Sequence, residues 1–594
     1  MFNFRQLFLV ITLLLMIGCD INRLDDKPLD QISGESVWQD PSLMRTNLND
    51  IYIGMGTGLF NSTSGLSVLS DDAMWTNGAK KVMQAQITPD DMGLLGDAGR
   101  FNFLNWGELY SRIRQTNIFL QKTADYSDDD KEQIERMRGQ AYFLRAYFYM
   151  NLMRMFGGVP LIKKVYELDS KDFMPPRNSF KETISFIVEN ADSAAAYLPQ
   201  SYTSEELGRA TKGAAMALKA RVLLYGASDL YSENPSGMKE TGYINSSNSE
   251  QYDRWKKAQK AAKEVMDLGN YHLYKANPGP EDSTAENYAN IFLDQPNDEI
   301  IMAKHLNHNL NAPNVGMWQS PNGYEGWGEN SPIQQLVDSY EMEDGTKFSW
   351  DNKNEAAHPY RNRDPRFYAT ILYDGAKWIE RYSDLQDSDP EGIIQTFEKL
   401  TLPDGSTLPG LDTRDGPVQD WNGSYSGYYL RKFIDPTVDH KENEQEIPWP
   451  FFRYAEVLLN YAEASIELGE DSKARDAINK IRVRAGMPKL EQSVSGDELR
   501  EKYRNERRIE MTAELQRFFD VRRWMIAPQV LDENAKGIKI TVKGDSRSDR
   551  SSYHDYQYKP VDVRDRRWNN KLYFAPIPRR EMNRNENLKQ NPGY

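Results

Sequence analysis

A mainly α-helical fold, with tetratricopeptide-type helical pairs as a scaffold around a large irregular insertion, is predicted by three observations on this sequence. Apolar residues recur every three or four positions over several long segments. Small residues stand where two helices would cross, and a Gly or Pro closes most of the turns between them. From about 270 to 450 the periodicity stops, and Gly, Asn, Pro, Asp and aromatic residues take over.

The chain opens MFNFRQLFLVITLLLMIGCD, with Arg5, an apolar run from Leu7 to Ile17, then Gly18 and Cys19. That run is shorter than the roughly 20 residues of a spanning helix and fits a secretory signal. A small residue directly before a cysteine suits a lipoprotein signal peptidase, so residues 1–18 read as a signal peptide and Cys19 as the lipidated end. Cys19 is the only cysteine in 594 residues, which excludes an internal disulfide and a thiolate metal cluster. Residues 19–35, with Asp20, Asp25, Asp26, Pro28 and Asp30, read as a flexible leash. With no Gly/Ser tract, Pro-rich spacer or charge block in the middle, residues 36–594 read as a single domain.

The segments WGELYSRIRQTNIFLQKTAD and KEQIERMRGQAYFLRAYFYMNLMRMF, within Trp106 to Phe156, predict the first helical pair. In its second member Ile134, Met137, Ala141, Leu144, Phe148, Leu152 and Met155 share one face. GGVP at Gly157 to Pro160 ends it. Phe180–Leu198 and Ala210–Tyr225 predict a second pair, the latter with Ala214, Ala215, Ala217 and Ala220 permitting close approach. A helix from about Trp255 to Leu268 follows. RYAEVLLNYAEASIELGE and SKARDAINKIRVRAG predict a later pair, and ELREKYRNERRIEMTAELQRFFDVRRW one long charged helix. The pairs match tetratricopeptide units loosely. They place a helical frame at about 106–270 and 450–525, around a loop-rich segment at about 270–450 with only short strand-like pieces, EIIMAKHL and YYLRKFI. Irregular loops on a rigid frame are where binding is expected.

A formal net charge of −15 argues against nucleic acid as partner. Of the six histidines only His305 and His308 are close, in a strand-to-turn segment without an HExxH pattern, so no metal site and no cofactor is expected. A structural calcium on loop carboxylates near Asp384, Asp387 and Asp389 is possible, though the spacing is not that of an EF-hand. GMGTGLF lacks the Lys-Ser/Thr of a P-loop and reads as a turn. Arg508, Glu510, Glu514, Arg517, Asp520 and Arg523 alternate in sign at helical spacing, which predicts structural ion pairs.

What the sequence offers instead is aromatic. A pyranose has apolar C–H faces and hydroxyl edges, so Trp and Tyr rings laid on the faces and Asn, Asp or Arg on the edges would hold it. SDDAMWTNGAK offers Trp75 with Asn77 and Asp72. NVGMWQSPNGYEGWGENSP offers Trp318, Asn322, Tyr324 and Trp327 between turn residues. QDWNGSYSGYY offers Trp421, Asn422 and Tyr425.

Six blocks occur in the order in which the SusD/RagB family has them. They are WGELYSRIRQTNIFL, RGQAYFLRAYFYMNLMRMFGGVPLI, GRATKGAAMALKARVLLY, IPWPFFRYAEVLLNYAEA, ERRIEMTAELQRFFDVRRW and the terminal YFAPIPRREMNRNENLKQNPGY. The chain resembles that family. Met511 and Leu515 stand where the family more often has a leucine and a glycine or another small residue, which reads as packing variation. The resemblance implies a tetratricopeptide-containing fold on the outer face of the outer membrane and a SusC-like TonB-dependent barrel as partner. It implies binding of oligosaccharide, or of peptide in a minority of members, without catalysis. The aromatic segments are therefore expected to bind glycan. A lipoprotein glycosidase, with two carboxylates facing across a cleft, is the enzymatic alternative.

Overall fold

The computed structural model describes residues 36–56, 65–75, 78–96, 101–126, 130–166, 170, 173–232, 242–244, 248–306 and 314–594. The signal peptide, the leash, Cys19, Asn77, His308 and most of GMGTGLF lie outside these residues.

Helix α1 (Pro41–Ile53) is capped by Asp40. Helix α2 (Trp106–Lys122) begins at Asn105, whose Oδ1 accepts from Gly107 N at 2.9 Å. It packs on α3 (Lys131–Phe156), α3 on α4 (Phe180–Tyr197), α4 on α5 (Lys212–Ala227) and α5 on α6 (Gln251–Met266). Helix α4 starts with a capping box, Ser179 and Glu182 each satisfying the other's backbone N–H. The stack does not end at α6. Helix α7 (Tyr454–Glu467) packs directly on α6 and on α8 (Asp471–Arg484), so residues 267–453 are looped out of a continuous helical row.

One expectation holds and is extended by the structure, and another is corrected. The face expected on α3 is buried, but from Gly139 onward almost the whole circumference is buried too, including Arg145, Asn151 and Arg154. Neighbouring helices on several sides leave that half no solvent face. Both arginines there meet partners: Arg145 donates to Asn190 Oδ1 and Asn117 Oδ1 at 2.8 Å each, and Arg154 lies 3.9 Å over the Phe519 ring. Gly157 closes the helix at φ +82°, where a Cβ would lie 2.5 Å from Tyr243 O.

The correction concerns the long charged helix, which is broken into α9 (Gly496–Glu510) and α10 (Arg517–Arg523). Between them Ala513 and Leu515 adopt left-handed backbone, φ +63° and +65°. The departure at Leu515 is thus a matter of backbone conformation rather than of packing, since glycine takes that conformation without strain. Leu515→Gly is expected to stay within about 1 kcal/mol of the parent, strain relief offsetting the lost packing of a half-buried side chain. Leu515→Val, β-branched, is expected to cost roughly 2 kcal/mol. Urea unfolding midpoints of the two variants compare these outcomes.

The break turns Glu510 and Glu514 inward onto a buried charge network. Arg453 donates to Glu299 at 2.7 Å, to Glu510 at 2.6 Å and to Glu514 at 2.7 Å. Arg484 joins through Glu299 and Glu510, Arg366 through Asp364, Glu506 and Glu510, and Lys432 through Glu514. Arg517 and Arg508 hold Asp71 and Asp72, and Asp520 pairs with both Arg507 and Arg523. The sign-alternating residues are therefore structural, as expected, and they tie residues of the insertion to the helical frame.

Within the insertion EIIMAKHL forms β2 (Ile300–Leu306), antiparallel to the fully buried β8 (Ile447–Arg453). YYLRKFI contributes only β7 (Tyr429–Leu430), paired with β4 (Ile371–Leu372). Strand β1 (Ala73–Met74) pairs with β3 (Ser331–Pro332), which carries the segment before Trp75 onto the end of the Trp318–Trp327 loop. Strands β5 (Lys399–Thr401), β6 (Thr407–Leu408), β9 (Ala535–Lys543) and β10 (His554–Arg564) form a sheet in the order β10-β9-β5-β6. No helix among the described residues is long and apolar enough to cross a membrane.

Candidate aromatic binding face

The loop 314–330 is held together by hydrogen bonds within itself and to its neighbour. Asn314 caps a short helical turn, its Oδ1 accepting from Met317 N at 2.9 Å and its Nδ2 donating to His440 O at 2.6 Å. The return arm donates Trp327 N to Met317 O at 2.7 Å and Glu329 N to Trp318 O at 3.0 Å. Gly326 is needed there, since a Cβ would fall 2.2 Å from Ser320 O. The ladder sets Trp318 and Trp327 side by side, centroids 4.4 Å apart at 75°, each ring half-buried.

Asn322 and Tyr324, expected as contacts in the same loop, are corrected: both are fully buried. Asn322 Nδ2 donates to Thr413 O at 2.9 Å and Val418 O at 2.8 Å, while its Oδ1 accepts from the Tyr429 hydroxyl at 2.8 Å. Tyr324 donates to Ile379 O at 3.1 Å, and the Arg381 guanidinium lies 3.9 Å over its ring. Burial raises the Tyr324 phenol well above its ordinary value, more than Arg381 lowers it. Asp72 is buried and accepts from Arg508 Nε at 2.8 Å. These three fasten the loops through their hydrogen bonds.

Through Asn322 the loop grips residues 410–429, and Gly328 lies against Asn422 O, where a Cβ would sit 3.1 Å away. That second loop presents Trp421 and Tyr425, exposed at 61 % and 42 %. Arg414 supports both, donating to Trp421 O at 3.0 Å and lying 4.1 Å over the Tyr425 ring. From below, Ile538 N of β9 donates to Ser426 O at 2.9 Å. Arg564, at the end of β10, lies 5.8 Å from the same Tyr425 ring and donates to Gly78 O at 3.1 Å and to Trp75 O. Trp75, half-buried, rests over Gly78, where a Cβ would collide with its ring.

The structure thus connects Trp75, Tyr425, Trp421 and the Trp318/Trp327 pair through Arg564, Arg414 and the Gly328–Asn422 contact. Partly exposed rings with the Arg414 and Arg564 guanidinium groups against one of them match the two-sided chemistry of a sugar. Arg414 and Arg564 were not singled out in the sequence, because nothing local distinguishes a loop arginine that meets an aromatic ring from one that meets water. Asp389, weighed above for calcium, is buried and accepts from Arg381 Nε at 2.7 Å. Among the described residues no group of three or more His, Cys, Asp or Glu could hold a metal ion.

Residues 281–594 match the family model described as the SusD family, and residues 24–224 one described as starch-binding associating with outer membrane. The chain belongs to the SusD family. A SusD-like protein from Bacteroides fragilis superposes with a TM-score of 0.73 at 30 % identity, over 96 % of this chain and 100 % of that one. A SusD-like carbohydrate binding protein from the same species gives 0.69 at 25 % identity, over 93 % and 100 %. SusD-like protein P2 of Formosa agariphila is 22 % identical over 98 % of both chains. A laminarin binding SusD-like protein shares the fold at a TM-score of 0.60 and 21 % identity, over 94 % of this chain and 99 % of that one.

Proposed function

We propose that this protein is a non-catalytic, lipid-anchored glycan-binding protein of the outer membrane surface. It captures oligosaccharide or polysaccharide on the Trp318, Trp327, Trp421 and Tyr425 face and delivers it to a SusC-like TonB-dependent transporter. The observation that carries this reading is the pair Trp318 and Trp327, held half-exposed by backbone hydrogen bonds beside two more exposed rings. Large apolar rings kept at the surface need a ligand or partner to account for them. The relatives named as carbohydrate-binding and laminarin-binding support a glycan as that ligand. The outer-membrane description of the N-terminal family model and the single cysteine at position 19 support a lipid tether.

Affinity electrophoresis of the protein in gels containing plant, microbial and host polysaccharides tests it, beside a Trp318→Ala, Trp327→Ala double variant. Two lost ring contacts of about 1 kcal/mol each correspond to roughly thirtyfold weaker binding. Retardation by at least one polymer, lost in the variant without a change in melting temperature, is expected. Binding of peptides with no retardation by any glycan would select the peptide-capturing alternative. Release of reducing ends from the polymer would replace capture by hydrolysis.

A further inference from the structure

Distinct from the aromatic face is a cavity of about 630 Å³ where the start of α2, the chain after α3 and the short helix α11 (Arg579–Arg584) meet. That volume lies within the range of small-molecule sites, roughly 300–1,000 Å³. Its floor is aromatic. Trp106 and Tyr110 meet with centroids 5.0 Å apart, and the Tyr110 hydroxyl is spent on Pro160 O at 2.8 Å. On one wall stand Tyr166 and Phe173, edge to face at 5.6 Å, and Phe173 is exposed at 66 %.

The charges around this floor are mainly positive. Arg114, Lys164, Arg580 and Arg584 line the cavity, against Glu108 and Glu581. Glu108 is engaged by Arg112 at 2.8 Å, and Glu581 is shared by Arg580 and Arg584 at 2.9 and 3.5 Å. Arg114 is anchored by one hydrogen bond, from Nη1 to Tyr166 O at 3.1 Å, which leaves the rest of its fork for a further acceptor. Arg580 reaches the cavity over Gly107, where a Cβ would lie 2.6 Å from its Nη2. A cationic, aromatic-floored cavity on a chain of net charge −15 is the reverse of the protein's general surface.

We infer that this cavity is a second binding site, for a uronate-bearing sugar. The C–H face of the ring lies on the exposed aromatic wall, and the carboxylate takes charge-assisted hydrogen bonds from Arg114 and Arg584. A neutral hexose would fill the same space and bring no anion to Arg114, whose one hydrogen bond goes to the Tyr166 carbonyl. Anion recognition follows from the lining residues alone. The choice of a sugar as its carrier rests on the glycan reading above.

Isothermal titration with short galacturonic acid oligomers, their methyl esters and a neutral polysaccharide bound by the aromatic face separates the two. The esters keep the rings and remove the charge. The acid oligomers are expected to bind at least tenfold more tightly than the esters, and Arg114→Gln with Arg584→Gln to remove that difference. Both arginines are exposed, so the variant is expected to fold. The Trp318→Ala, Trp327→Ala variant should lose the neutral polymer and keep the acid oligomers. Equal binding of acid and ester, or unchanged affinity in the arginine variant, would overturn the inference. So would binding of a poly-glutamate peptide in place of every uronate. Failure of all neutral polymers, with acid oligomers still bound through Arg114 and Arg584, would strike the earlier reading and leave this one standing.

Discussion

Replacing Arg453 with Ala is expected to destabilise the protein by about 3–5 kcal/mol, the cost of leaving buried charges without a partner. Its guanidinium is the common partner of Glu299, Glu510 and Glu514, and all four side chains are essentially inaccessible to water. Removing the cation leaves Arg484 and Arg366 to share Glu299 and Glu510, and Lys432 alone on Glu514. Guanidinium chloride unfolding measures the loss. A matching change at Lys181, whose pair with Glu250 is solvent-exposed, should leave the midpoint where it was. A loss below about 1 kcal/mol for Arg453→Ala would mean that the carboxylates take up protons at little cost, and that the network fixes geometry without holding the fold together. The effect should reach the binding face, because the network joins β8 and α9 to residues of the insertion that carries the tryptophans.

Acid should unfold this protein steeply. Burial pushes the Glu463 carboxyl up, but Arg523, its hydrogen bonds and Arg507 outweigh burial and hold it down at about 2. Glu506 and Glu514 are also lowered: burial raises each, but Arg366 with Arg482, and Arg453 with Lys432, outweigh it. A carboxylate held below its unfolded value contributes stability that is complete above about pH 5. That contribution is lost as pH falls through the unfolded range near 4.5 towards the folded value. For Glu463 it is roughly 3 kcal/mol, at about 1.4 kcal/mol per pKa unit. His305 and His440 act in the same direction from higher pH, since burial lowers both and the unfolded chain binds the proton more readily. Thermal melts at pH 7, 5 and 3 should show little change over the first step beyond the histidine contribution and a large fall over the second. Added salt should not restore the loss, because buried pairs are weakly screened. A melting temperature at pH 3 equal to that at pH 7 would contradict the argument, and Glu463→Gln should flatten the acid limb.

The helical frame was legible because its signals are local. Periodicity placed α2 to α8 to within a few residues, and the composition of 270–450 marked where helices stop. The order of the six blocks marked the family. The broken helix was less legible. Nothing in ERRIEMTAELQRFF forbids a continuous helix, and the turn through Ala513 and Leu515 exists because Glu510 and Glu514 satisfy arginines on β8 and α8. The candidate face divided in the same way. Trp318, Asn322, Tyr324 and Trp327 share one loop and one composition, yet two hold half-exposed rings and two are buried struts.

The sequence by itself determined where helices form, which segments are loops, that one cysteine stands at the end of a signal-like run, and that aromatic residues gather in turn-rich stretches. These follow from the short-range physics of backbone propensity and apolar periodicity. Only the tertiary structure decided that α6 packs on α7 across residues 267–453, which tyrosine is a strut and which tryptophan a surface, and that Arg414 and Arg564 meet Tyr425. Burial and charge partnership are set by residues far apart in the chain, and a side chain's role changes when its distant partner closes over it.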